Sequence, residues 1–200
     1  MNDAHLVMHG LAIKKHATPE DVAGVLGLEP ETVRETLVKL VAAKRVVEAQ
    51  GRYLLAPAAR MLLDADYSRY YADVRANPAF QAGYAGFERL NAVLKQLITD
   101  WQTIPVRGDR VPNDHSDKDY DAKIVDRLGD LHERAETVLD QLASALPRMR
   151  IYRDKLADAL DKAEKGAIAW VSDARIESYH TVWFELHEDL LRLMQRERSE

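Results

Sequence analysis

The feature that most constrains this chain is a spacing. Phe80, Tyr84, Phe87, Asn91, Leu94, Ile98 and Trp101 alternate at four and three residues, with a single polar member. Ile124, Leu128, Leu131, Ala135, Val138 and Leu142 repeat the pattern, and so do Ile176, His180, Trp183, His187, Leu190 and Met194. Such seams belong to long helices that lie side by side. Two further helices are expected over 58–76, closed by Asn77-Pro78, and over 148–165, closed by Gly166. Met61, Leu62, Ala65, Tyr67, Tyr70, Tyr71 and Val74 give the first of these its apolar side. The expectation for residues 65–200 is an antiparallel helical bundle, a candidate dimerisation or effector domain. Residues 102–117 read as a loop, and the Arg-Gly-Asp tripeptide at 107–109 as coincidence.

The first third of the chain reads differently. A helix is expected over 4–16, with Leu6, Gly10, Leu11 and Ile13 inward. Thr18, Pro19, Glu20 and Asp21 form a helix start, with a capping side chain, a proline at the first helical position and acids in the first turn. A third helix opens near Pro30, where Val33, Leu37, Leu40 and Val41 share one face. Val46-Val47 and Tyr53-Leu54-Leu55 then flank a Gln50-Gly51-Arg52 tip, which predicts a two-stranded hairpin. A lone hairpin is marginal, so it must pack on the helices.

Two helices joined by a tight turn and followed by this hairpin resemble the winged helix of MarR-type and PadR-type transcriptional regulators. Gly51, Tyr53 and Leu55 match the end of the family's wing, with Ala56 in place of the usual threonine. The resemblance covers residues 4–64. It implies a mainly α protein, with a winged helix in residues 1–64 ahead of the bundle. It also implies that Thr32, Arg34, Glu35 and Lys39, with Glu31 beside them, face the major groove of DNA. Arg45 and Gln50 supply further contacts, and Arg52 at the wing tip reaches the minor groove.

Charge argues against the obvious reading. Residues 1–64 hold eight Lys/Arg and eight Asp/Glu, and the net charge of −5 lies entirely in the remainder. DNA-binding domains carry excess positive charge. The alternative is therefore an accessory protein that uses the winged helix as a docking module.

Several polar residues fall on or beside the apolar seams: Asn91, His132, His180 and His187, with Trp183 among them. Three readings stay open. They are buried groups bonded to core partners, an effector pocket that orients a small ligand, or a metal site. Glu177 and His180 have the Glu-x-x-His spacing of di-metal bundles, but no second copy of that motif exists.

Other chemistry is not signalled. With no cysteine, disulfides and thiolate metal sites are excluded. No phosphate-binding glycine loop, His-Glu-x-x-His or Gly-x-Ser-x-Gly occurs. "NDHSDKDYD", residues 113–121, lacks the glycine and terminal glutamate of a calcium loop. No cofactor, bound metal or enzymatic activity is expected. No leader or membrane span is visible. The expectation is a cytoplasmic regulator that binds DNA as a homodimer, with a small-molecule effector as a possible second partner and no membrane contact.

Overall fold

The computed structural model describes residues 3–197, which are mainly helical. They form two compact units, one of residues 3–77 with 185–197, the other Pro78–Phe184. Among the described residues no helix is long and apolar enough to cross a membrane.

Unit 1 begins with α1 (Asp3–Lys14), α2 (Pro19–Leu26) and α3 (Pro30–Ala42). Thr18 caps α2 as the sequence predicts. Its hydroxyl accepts from the Asp21 amide, and the Asp21 carboxylate accepts from the Thr18 amide. α1 buries His5, Val7, Met8, His9, Leu11 and Ile13, whereas Leu6 is half-buried. The inward face therefore includes two histidines one turn apart. β1 (Val46–Ala49) and β2 (Arg52–Leu55) pair antiparallel, Val46 opposite Leu55 and Ala49 opposite Arg52. Gln50 and Gly51 lie at φ 55° and 75°, the left-handed pair of a tight hairpin turn whose twist suits its strands. Val46 and Leu55 are buried. The Tyr53 amide donates to the Ala17 carbonyl at 2.8 Å, and the Ala17 amide donates back at 3.1 Å.

The helix expected over 58–76 is interrupted. α4 spans Pro57–Tyr70 and α5 spans Ala72–Ala76, with the chain bending at Tyr71. Its phase also differs from expectation. Ala59, Leu63, Tyr67 and Tyr71 face inward, while Met61 is 75% exposed, Leu62 is 52% exposed and Ala65 is exposed. A run at strict four-residue spacing, with two tyrosines at its end, buries more area than Met61 and Leu62 offer.

Unit 2 is a helical bundle. α6 (Pro78–Gln102) and α7 (Lys118–Ala145) lie along each other, and a Cβ added at Gly83 or Gly86 would come within 2.9 Å of Leu142 or 2.8 Å of Val138. Advancing along α6 retreats along α7, so the two run antiparallel, and the glycines permit the close approach. Asp117 caps α7 by accepting from the Tyr120 amide. After a 3-10 turn at Pro147–Met149 come α8 (Arg150–Glu164) and α9 (Ala169–Ser172). α10 (Tyr179–Met194) belongs to unit 2 through Phe184 and to unit 1 from Glu185. It starts later than the sequence suggests. Ile176 and Glu177 sit in a turn, so Glu177 and His180 do not share a helix face.

Residues 102–117 contain a second hairpin rather than an open loop. β3 (Thr103–Val106) pairs antiparallel with β4 (Asp109–Pro112) around Arg107 and Gly108, at φ 52° and 98°. The turn geometry repeats that of Gln50-Gly51.

Candidate nucleic-acid interface

The hydrophobic pattern of α3 sets its orientation. Val33, Thr36, Leu37 and Leu40 are buried, so Glu31, Arg34, Glu35, Val38, Lys39 and Ala42 form the exposed face. Thr36 fits the core because its hydroxyl donates to the Thr32 carbonyl at 2.8 Å. Thr32 itself is half-buried. Val38 is 69% exposed at the middle of the outward face.

The expected DNA-binding cations divide into two sets. Arg34 and Arg52 are already engaged. Arg34 donates to Glu31 at 2.9 Å and to Glu20. These hydrogen bonds raise the Arg34 pKa, and a backbone hydrogen bond together with Arg34 holds Glu20 below its ordinary value. Arg52 donates to the His16 carbonyl at 3.0 Å and to Asp21 at 3.3 Å. Burial pushes the Asp21 carboxyl up. The Thr18 hydrogen bonds and the charges of Lys14 and Arg52 outweigh it and leave the pKa lowered. Lys39 and Arg45 are exposed, as is Lys44, and none of the three forms an ion pair among the described residues. They follow one another from the last turn of α3 to the start of β1. Gln50 and Glu35 are exposed.

The residues expected to line an effector pocket fall on both sides of the division between the units. Asn91, His132, His180 and Trp183 lie in unit 2, and His187 lies in unit 1. The Trp183 indole donates to Asn91 Oδ1 at 3.1 Å and stacks on Phe87. His132 Nδ1 lies 3.2 Å from the Tyr179 hydroxyl. Burial lowers the His132 pKa despite the nearby Glu136 and Glu164, and burial lowers that of His180. Burial alone drives the Tyr179 phenol far upward. Asn91, His132, Trp183 and Tyr179 are thus bonded to core partners, whereas His180 is half-buried and makes no hydrogen bond among the described residues. Among the described residues no group of three or more His, Asp or Glu is placed to hold a metal ion.

Unit 1 holds a polar constellation outside those expectations. His9 Nδ1 lies 2.6 Å from the Tyr67 hydroxyl and Nε2 lies 2.9 Å from Asp189 Oδ1, with His9 and Asp189 wholly buried. An Nε2–H donor to Asp189 and a Tyr67 hydroxyl donor to Nδ1 satisfy both ring nitrogens. His5 packs against Tyr67, Tyr70 and Tyr71 one turn away. The histidines at 5 and 9, and tyrosines at 67 and 71, share the same one-turn repeat. That repeat was the available signal.

No protein-family model matches this chain, no curated protein matches it, and no solved structure matches it. The functional reading rests on geometry and charge.

Proposed function

We propose that unit 1 is a winged helix that binds duplex DNA, and that the protein is a non-enzymatic transcriptional regulator acting in the cytoplasm as a homodimer. The observation that carries this reading is an uncovered helix face running into unpaired cations. α3 presents Glu31, Arg34, Glu35, Val38 and Lys39 to solvent, and Lys39, Lys44 and Arg45 have no ion-pair partner among the described residues. A helix face of this length fits the major groove, and the Val38 methyls suit a thymine methyl. Arg34 and Arg52 join by exchange. Glu20 and Glu31 are exposed and Asp21 is half-buried, and solvent-screened pairs of this kind contribute little, so a phosphate displaces them at small cost. Regulators that dock this way read two half-sites through two-fold symmetry, which supports the dimer.

The test is fluorescence anisotropy of labelled duplexes titrated with the full chain across ionic strengths. The expected result is salt-sensitive binding whose log–log slope falls by about 0.9 for each cation removed in K39Q, K44Q and R45Q. Absence of binding at low ionic strength overturns the reading.

A second reading, a protein-docking module, draws on the exposed Val38 and Val47 beside a charge-balanced helix face. It predicts that V38D abolishes partner binding while salt has little effect. Under the DNA reading, K39Q, K44Q and R45Q dominate.

A further inference from the structure

α3 turns a free carboxylate outward at the middle of its exposed face. At about 100° per residue, Glu35 lies opposite the centre of the buried Val33, Leu37 and Leu40. It forms no hydrogen bond or ion pair among the described residues. Lys39 stands four residues on, the spacing and order that best suit a helical ion pair, yet the two do not pair. Glu31, the other acid on this face, is already held by Arg34 at 2.9 Å. Val38, about one turn from Glu35, is exposed beside it.

A carboxylate carries acceptors only. In a major groove it is repelled by the phosphates, and that cost is offset only where a base presents a hydrogen to it. Guanine presents two acceptors there, O6 and N7, and thymine presents O4 and a methyl group. The cytosine N4 and adenine N6 amino groups are the donors that remain. They differ in what lies next to them. The adenine amino group sits beside the N7 acceptor, which repels the second carboxylate oxygen. The cytosine amino group sits beside the apolar C5–H edge. Val38 extends that apolar preference to a neighbouring thymine methyl. Residues three apart on a helix have Cβ atoms about 5–6 Å apart, a span that reaches adjacent base pairs.

We propose, resting on the DNA-binding role given to α3 above, that this helix reads a cytosine beside a thymine. Glu35 accepts from the cytosine N4 amino group, and Val38 packs on the thymine methyl. Glu35 then decides which base is accepted, while Lys39, Lys44 and Arg45 supply affinity whatever the sequence. The unpaired acid weakens binding to a wrong site more than to the right one, which is how repulsion creates specificity.

The test is enrichment of duplexes from a library randomised over one helical turn, using the full chain at low ionic strength. Anisotropy titrations of the enriched duplex and its single base-pair variants follow. The native chain is expected to enrich cytosine next to thymine, and to bind about tenfold less tightly when that C·G pair is inverted to G·C. E35Q supplies a donor as well as an acceptor, which matches adenine N6 and N7, so its preferred base should change from cytosine to adenine. Loss of stability does not produce a change of preferred base. V38A should lose the preference for thymine and keep that for cytosine. K39Q should weaken all duplexes alike. Unchanged thermal melts establish that the three variants fold. Binding without enrichment of cytosine, or E35Q enriching the same duplexes as the native chain, overturns the role of Glu35 and leaves DNA binding standing. No binding to any duplex overturns both.

Discussion

The two hairpins share a turn and differ in almost everything that holds them. Each turns through two residues at positive φ, with glycine second: Gln50-Gly51 and Arg107-Gly108. The first hairpin is part of a core. Val46 and Leu55 are buried, Ala17 extends the pairing onto Tyr53, and the Ala56 amide donates to the Arg45 carbonyl at 2.9 Å. The second has no buried strand residue. Polar groups hold it. Arg110 bonds Asp100 and donates to Thr103 at 3.0 Å, and Arg127 pairs with Asp100 at 3.0 Å. The Tyr120 hydroxyl donates to the Asp100 and Thr103 carbonyls, at 2.8 and 3.2 Å. One turn geometry is thus fixed by apolar burial in one place and by side-chain hydrogen bonds in the other. The first kind of support is lost all at once, the second piece by piece.

The largest expected effect tests burial. Leu55→Ala should cost about 2–5 kcal/mol, the usual range for a large-to-small change in a packed core. Ile104→Ala, at a half-buried position of the second hairpin, should cost well under half of that. All three tryptophans lie between residues 101 and 183, so unit 1 is best followed by amide exchange of residues 46–55. Equal costs would break the comparison.

Next come the turn glycines. A Cβ at Gly51 or Gly108 meets no atom within 4 Å, so substitution tests backbone conformation alone. Alanine at φ 98° lies further from the left-handed basin than alanine at φ 75°. Gly108→Ala should cost about 1–2 kcal/mol and Gly51→Ala somewhat less. The readout differs as well. Gly108→Ala should speed exchange only within 103–112, a local opening, whereas Gly51→Ala should be felt through unit 1.

Asp100→Asn sharpens the polar side. It weakens two ion pairs at once, each worth about 0.2–1 kcal/mol for partly exposed groups. Amide exchange in 103–112 should rise, and exchange in 46–55 should stay unchanged. A fall in the stability of the first hairpin would show that the two are not independently supported.

The same contrast explains what could be read in advance. The first hairpin was legible because β-prone pairs flank a glycine turn and their ends are apolar. The second was hidden by its own supports: Arg110, Asp109 and two prolines make residues 102–117 look like a loop. Proline is tolerated there because each strand has one partner and keeps an open edge. The seams of α6 and α7 were legible from Phe80, Phe87, Leu94, Leu128 and Leu142, since apolar periodicity alone decides which side of a long helix is buried. α4 offers two phases, and the sequence favours the wrong one because Met61 and Leu62 are more apolar than Ala59. At the candidate interface, exposure of Arg34 and Arg52 was readable. Their partners Glu20 and Asp21 were not, because pairing across 14 and 31 residues depends on how α2 packs. The His9–Asp189 pair spans 180 residues and leaves no trace in a hydrophobic pattern.

The smallest effect concerns Asp21, which ties the first hairpin to α2 through Arg52. Its folded pKa lies below the ordinary carboxylate value of 3.8. A carboxyl so depressed stabilises the native state above its unfolded pKa, and loses that contribution as pH falls through its folded one. Asn at position 21 keeps an oxygen for the Thr18 amide and removes the charge. Asp21→Asn should therefore be less stable than the native chain at pH 7, by well under about 1 kcal/mol for a pair this exposed. The difference should shrink as pH drops below 3.8 and vanish once both chains are neutral at that position. Thermal melts of the two proteins from pH 7 to pH 2.5 measure it. A gap that persists in acid would show that the loss on substitution does not come from the Asp21 charge, and would leave the first hairpin held by burial without electrostatic help.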